Sequence, residues 1–75
     1  NLVYVLDNEP RNYEIVKKYE KLIQSGSTIV IWPSTIKEKD LNDMMMSGHD
    51  VQRVVDSNNY SGLEATIKLN AWKKV

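Results

Sequence analysis

The chain has no cysteine and no phenylalanine, only three glycines and two prolines, and no excess of either charge. Each absence narrows what it can be. Without cysteine no disulfide can brace a modest core, and the composition is compatible with a reducing compartment. Without phenylalanine, large aromatic packing falls to Trp32, Trp72 and four tyrosines. Ten basic residues balance ten acidic ones, so no net field argues for a nucleic-acid or membrane partner. Apolar runs reach about five residues, far short of the roughly 20 that a membrane helix needs, and no signal-peptide pattern opens the chain. No repeat, low-complexity tract or domain boundary interrupts it. The expectation is a single soluble, cytoplasmic domain over 1–75, of a size that buries only about 60% of its unfolded surface. Because Asn1 stands directly before an apolar strand with no initiator methionine, an excised piece of a longer protein is expected.

What is present reads as a short α/β unit followed by helices. Leu2 to Leu6 is a continuous apolar run of β-formers, which predicts a central strand buried on both faces. Pro10 suits the first turn of a helix, with Asn8 or Glu9 as cap. Tyr13, Ile15, Val16, Tyr19, Leu22 and Ile23 recur at helical spacing, so the helix is expected over about 10–24, and Gly26 fits its left-handed stop. Thr28 to Trp32 is a second buried strand, which completes a parallel β-α-β unit. Asp40 is placed to cap a short helix from Leu41 to Ser47, and Gly48 ends it. Asp50 caps another through Asp56, SNNY (Ser57 to Tyr60) reads as a turn, and SGLE (Ser61 to Glu64) has the spacing of a capping box opening a last helix to about Lys74. The division is thus 1–48 for the β-α-β unit and 49–75 for C-terminal helices. Two parallel strands cannot cover their own edges, so more sheet is expected from outside this sequence.

The chemistry lies in two acidic clusters, DNE (Asp7 to Glu9) after the first strand and KEKDLND (Lys37 to Asp43) after the second. Parallel strands bring residues beyond their carboxyl ends to one edge, where such folds place their ligands. Asp7, Glu9, Asp40 and Asp43 would meet there. Mg²⁺ takes hard oxygen ligands, keeps several waters and is typically held by one or two carboxylates plus substrate phosphate. Asp7 and Glu9 stand at i, i+2, the spacing that returns to one side of a strand. Arg11 and Lys39 are candidate phosphate contacts, and Asn42 suits orienting a carboxylate or a water. Plainer readings exist for each: Asp7 and Glu9 could flank a helix start, Asp40 could cap, and Asp43 could be first-turn charge. His49, with no second His or Cys nearby, reads as a solvated loop residue. Met44 to Met46 should divide between core and surface. Lys68, Lys73 and Lys74 beside Trp72 could grip single-stranded nucleic acid, or form the solvated face of a helix whose Trp72 turns into the core.

The order strand, DNEPRN, helix, strand, KDLND resembles the second half of a Toprim domain, a Rossmann-like metal-binding fold of primases, topoisomerases and some nucleases. The resemblance runs from Leu2 to Gly48. MMMSGHDVQRVV (Met44 to Val55) matches the continuation in phage primases of the primase-helicase type, and DNEPRN with the SGLEATIKLNAWKK tail also resembles primase subunits of T-even-like phages. The chain departs from that pattern at Glu9, where aspartate is common, and at Pro10, Arg11 and Asn12, where many relatives have small residues and a glycine. The general acid/base glutamate of the family belongs to an earlier strand outside this segment.

The resemblance implies a partial Toprim fold contributing Asp7, Glu9 and Asp40 as catalytic acids. Asp43 joins them as a metal ligand, Mg²⁺ (or Mn²⁺) is the ion, and Arg11, Lys39 and Asn42 attend the nucleotide. The activity implied is nucleotidyl transfer that makes RNA primers on single-stranded DNA from ribonucleoside triphosphates, beside a replicative helicase, in the host cytoplasm of a phage. The isolated segment should be catalytically silent. Two other readings stand beside it: a Toprim nuclease using the same acids on water, and a non-catalytic α/β module whose acids only cap helices. A receiver-like phosphoacceptor lacks the expected downstream Thr/Ser and Lys strands.

Overall fold

The computed structural model describes residues 2–75. In order along the chain it has β1 (Val3–Tyr4), α1 (Tyr13–Gln24), β2 (Thr28–Val30), α2 (Leu41–Met46), α3 (Val51–Ser57), β3 (Asn59–Tyr60) and α4 (Gly62–Trp72). The α/β class holds, but the sheet is mixed. Its order is β1-β2-β3, with β1 parallel to β2 (Val3 opposite Thr28) and β3 antiparallel to it (Ile29 opposite Tyr60).

Alternation along β2 and its continuation organises the core. Ile29 and Ile31 join Tyr19 of α1 with Ala65 and Leu69 of α4 on one face. Val30 and Trp32 join Ile36, Met44 of α2 and Val51, Val54 and Val55 of α3 on the other. Helices therefore cover both faces of one three-stranded sheet. Trp72 packs against both clusters, which places it at the end of the sheet, with its ring edge-on to Tyr19 at 5.4 Å.

Several expectations are corrected here. Among the described residues the first strand lies at the edge, where only β2 pairs with it, and Val3 and Tyr4 remain 40% and 38% exposed. A continuous apolar run shows that a segment is apolar, but the neighbours decide whether it is central. SNNY is no simple turn, because Asn59 and Tyr60 pair with β2. Helix α1 opens at Tyr13, not residue 10. Pro10 instead sits in a turn closed by the Asn12 N–H donating to the Glu9 carbonyl at 3.0 Å, where its fixed φ is favourable. Asn12, not Asn8 or Glu9, caps the helix, accepting from the N–H groups of Glu14 and Ile15. The capping box of α4 does not form. Ser61 makes no side-chain cap bond, because Gly62 enters the helix at φ +58° and turns the backbone away from box geometry.

Other expectations match. Gly26 has φ +77° after α1, Asp40 and Asp50 cap α2 and α3, and Met44 is buried while Met45 and Met46 are exposed. No helix among the described residues is long and apolar enough to cross a membrane.

Candidate functional site

Both parallel strands run out toward the same edge, and the loops that follow them are stitched together there. The Asn8 N–H donates to the Lys39 carbonyl at 2.6 Å. Its side-chain amide donates to the carbonyls of Ile36 and Glu38, each at 3.0 Å, and its Oδ1 accepts from Trp72 Nε1 at 3.1 Å. One asparagine thereby ties the loop after β1 to the loop after β2 and to the end of α4. Trp32 Nε1 donates to the Leu6 carbonyl at 2.8 Å, and the Lys74 N–H donates to the Pro10 carbonyl at 2.8 Å. The edge is held by directional bonds that leave little room for either loop to drift.

The acidic residues flank this stitch. Asp7 is exposed, and among the described residues no hydrogen bond or ion pair engages its carboxylate. Glu9 is half-buried and doubly held, with Oε1 3.4 Å from Lys39 Nζ and Oε2 accepting from Asn12 Nδ2 at 3.3 Å. Asp40 gives Oδ1 to the Asp43 N–H at 2.9 Å as the cap of α2. Asp43 lies in the first turn of that helix, exposed. Asn42 is exposed, and its amide donates to Met46 Sδ at 3.6 Å. Arg11 is exposed in the turn before α1. Among the described residues no group of three or more His, Cys, Asp or Glu side chains is placed to hold a metal ion.

Burial pushes the Tyr19 phenol well above its ordinary value, and the nearby Asp7 carboxylate adds to the rise. Tyr19 stays neutral and donates to the Val30 carbonyl at 2.6 Å. Glu38 is lowered from the usual 4.5, first by its own backbone N–H and then by the His49 ring, whose Nε2 lies 2.8 Å from Glu38 Oε1. His49 is therefore not the solvated loop residue its isolation suggested. It pins the turn after α2 to the loop that carries Lys39 and Asp40.

The residue that sequence reasoning undervalued is Asn8. A polar amide lodged between Asp7 and Glu9 at a strand end offers both donors and an acceptor, which is what two neighbouring loops need. The chain is 33% identical over 78 aligned positions to the DNA primase of Enterobacteria phage T4, an alignment that takes in 97% of this chain and 23% of that protein. It is similar to a segment of a phage DNA primase. The chain spans about a quarter of that relative's length, and no protein-family model matches it. In this chain the stitched edge, where among the described residues the Asp7 carboxylate has no partner and Asp40 caps α2, is where the loops carrying the two acidic motifs adjoin.

Proposed function

We propose that this chain is the metal-binding half of a Toprim-like catalytic unit in a phage DNA primase, and that it takes part in Mg²⁺-dependent primer synthesis on single-stranded DNA. The observation that carries the reading is the backbone bond from Asn8 to Lys39, which sets the two acidic loops side by side at the carboxyl ends of parallel strands. The similarity to a DNA primase over nearly the whole chain supports it.

Mg²⁺ is a hard cation that asks for one or two carboxylates and fills its remaining positions with water and phosphate, so the reading needs two carboxylates of this edge and not a preformed group of three. Asp7 and Asp40 would hold it, with Glu9 as a further oxygen donor once Lys39 turns to phosphate, and Asp43 at the margin. Bound there, the ion would supply charge neutralisation to an in-line phosphoryl displacement, the joining of a 3′-hydroxyl to a ribonucleoside triphosphate. Lys39 and Arg11 would bind the triphosphate. Asn8 would keep both loops in register, and Asn12 would hold Glu9. A helicase partner and the remaining catalytic glutamate would come from elsewhere in the assembly.

One observation favours the rival, non-catalytic reading: Glu9 and Asp40 already serve an ion pair and a helix cap. The full chain decides. With single-stranded DNA, Mg²⁺ and labelled ribonucleotides, short labelled RNA should form, and it should fall by at least about 100-fold in Asp7→Asn, the scale at which a positioned electrostatic group acts. Glu9→Gln should lower it too. Shortened DNA without new RNA would point to a nuclease; neither product, with helicase and varied templates supplied, would leave the scaffold reading.

A further inference from the structure

Asp40 is held less directly than the rest of the stitched edge. Asn8 fixes the carbonyls of Ile36, Glu38 and Lys39. Among the described residues the hydrogen bonds of Asp40 go to α2 instead, its Oδ1 accepting from the Asp43 N–H and its carbonyl from the Met44 N–H. The place of this carboxylate therefore follows that helix. With six residues, α2 is too short to hold a position by its own hydrogen bonds. Its far end is closed by Gly48 at φ +89°, where the Gly48 N–H donates to the Met45 carbonyl and the His49 N–H to the Met44 carbonyl, each at 3.1 Å, the paired bonds that finish a helix through a left-handed residue. Met44 is 1% exposed in the core, and Asp50 caps α3 directly afterwards. His49 is thereby a fixed post between two helices. From it Nε2 reaches Glu38 Oε1 at 2.8 Å, a contact eleven positions apart that encloses the whole of α2.

We infer that His49 is a positioning residue for the acidic edge, acting through Glu38 to set where Asp40 stands relative to Asp7. An ionised carboxylate only accepts, so His49 Nε2 carries a proton and donates it to the bond, and a bond to a charged acceptor is short and strong. Glu38 is the junction, with its carbonyl tied to Asn8 and its side chain to His49. The loop after β2 is braced from the first strand's end on one side and from the α2–α3 turn on the other. Neither member of the pair stands where a substrate would meet it. The cleft of about 650 Å³ beside the edge, with Arg11, Lys37, Lys68 and Lys74 in its walls, is lined by Asn8 and Lys37 but, among the described residues, not by Glu38 or His49. A brace remote from the chemistry still acts on it, since a misplacement of about 1 Å can cost about 100-fold in rate. The consequence for a metal rests on the proposed function; the placement of Asp40 does not.

The test compares backbone amide spectra of the isotope-labelled full chain, free of metal, in the parent, His49→Ala, His49→Gln and Glu38→Ala. His49→Ala should displace the signals of Asp40 and of Asp43, whose N–H the Asp40 side chain caps, and leave those of α1 in place. His49→Gln, whose side-chain nitrogen donates from near the place of Nε2, should restore most of the parent positions. In a Glu38→Ala background, His49→Ala should move Asp40 no further, the signature of two residues acting as one unit. When the same samples are titrated with Mn²⁺, His49→Ala should weaken the response at Asp40 several-fold, less than the about 10–100-fold that follows loss of a group bonded directly to a ligand. The metal-free spectra decide the inference by themselves, so a parent without a metal response would sink the catalytic reading alone. Displacements confined to residues 47–52, a glutamine variant no better than alanine, an undiminished effect of His49→Ala in the absence of Glu38, or a parent metal response at Asp40 that survives His49→Ala intact would overturn it.

Discussion

Tyr19→Ala is expected to leave the protein largely unfolded at 37 °C. Tyr19 is fully buried between the sheet and α4, touches Trp72 edge-on and donates its hydroxyl to the Val30 carbonyl. Truncating a buried aromatic costs about 3–5 kcal/mol. A domain of 75 residues has a total stability of roughly 4–11 kcal/mol at the usual 0.05–0.15 kcal/mol per residue. A single truncation thus removes a large share of it. Tyr19→Phe separates the two contributions, because it keeps the ring and leaves only the Val30 carbonyl unpaired, at about 1–2 kcal/mol. Urea unfolding followed by circular dichroism reads both. A Tyr19→Ala midpoint within about 1 kcal/mol of the parent would be incompatible with this residue as the centre of the core.

Asn8→Ala is expected to cost about 2–3 kcal/mol, more than an ordinary loop substitution, because two loop carbonyls and the Trp72 indole lose their partner together. For a domain of this size that is a drop of roughly 10–20 °C in melting temperature. Asn8→Asp makes a sharper comparison. It retains an acceptor for Trp72 but replaces two donors with lone pairs facing the Ile36 and Glu38 carbonyls, and it adds a third negative charge between Asp7 and Glu9. It should be no better than alanine. Thermal melts of both variants check this, and an Asn8→Asp protein as stable as the parent would show that the stitch contributes little.

Much of the architecture was legible in the sequence because strong local signals agreed with the tertiary outcome. The spacing of Val16 and Tyr19 marked the buried face of α1, Thr28 to Trp32 marked a strand covered on both sides, and Asp40 and Asp50 marked two helix starts. The misreadings share a cause: each depended on a partner distant in sequence. Leu2 to Leu6 is as apolar as Thr28 to Trp32, yet β3 pairs on the far side of β2 and leaves β1 at the margin. Asn59 and Tyr60 have turn-like neighbours and become a strand only because Ile29 and Val30 offer free backbone groups. Glycine at the first position of α4 disabled a cap whose spacing was correct.

The site divides in the same way. Its two acidic motifs stand at matching strand ends and could be found by spacing alone. The asparagine that joins them and the cleft of cations beside them could not, since Asn8 bonds to Trp72 from 64 positions away. The cleft's wall likewise gathers residues from Asn8 to Lys74. Lys73, grouped in the sequence with Lys68 and Lys74, turns instead to Glu20 on α1, a partition that composition does not reveal.

The measurement that bears most directly on the central claim is a Mn²⁺ titration of the isotope-labelled full chain, read by the paramagnetic broadening of each backbone amide and reversed with excess Mg²⁺. A divalent-metal site at the stitched edge requires that Asp7, Asn8, Glu9, Lys39 and Asp40 broaden first and recover together, and that Asp7→Asn abolish the effect. Broadening that starts elsewhere, at Asp50 and Asp56 for example, or that is weak and uniform over all carboxylates, would contradict it.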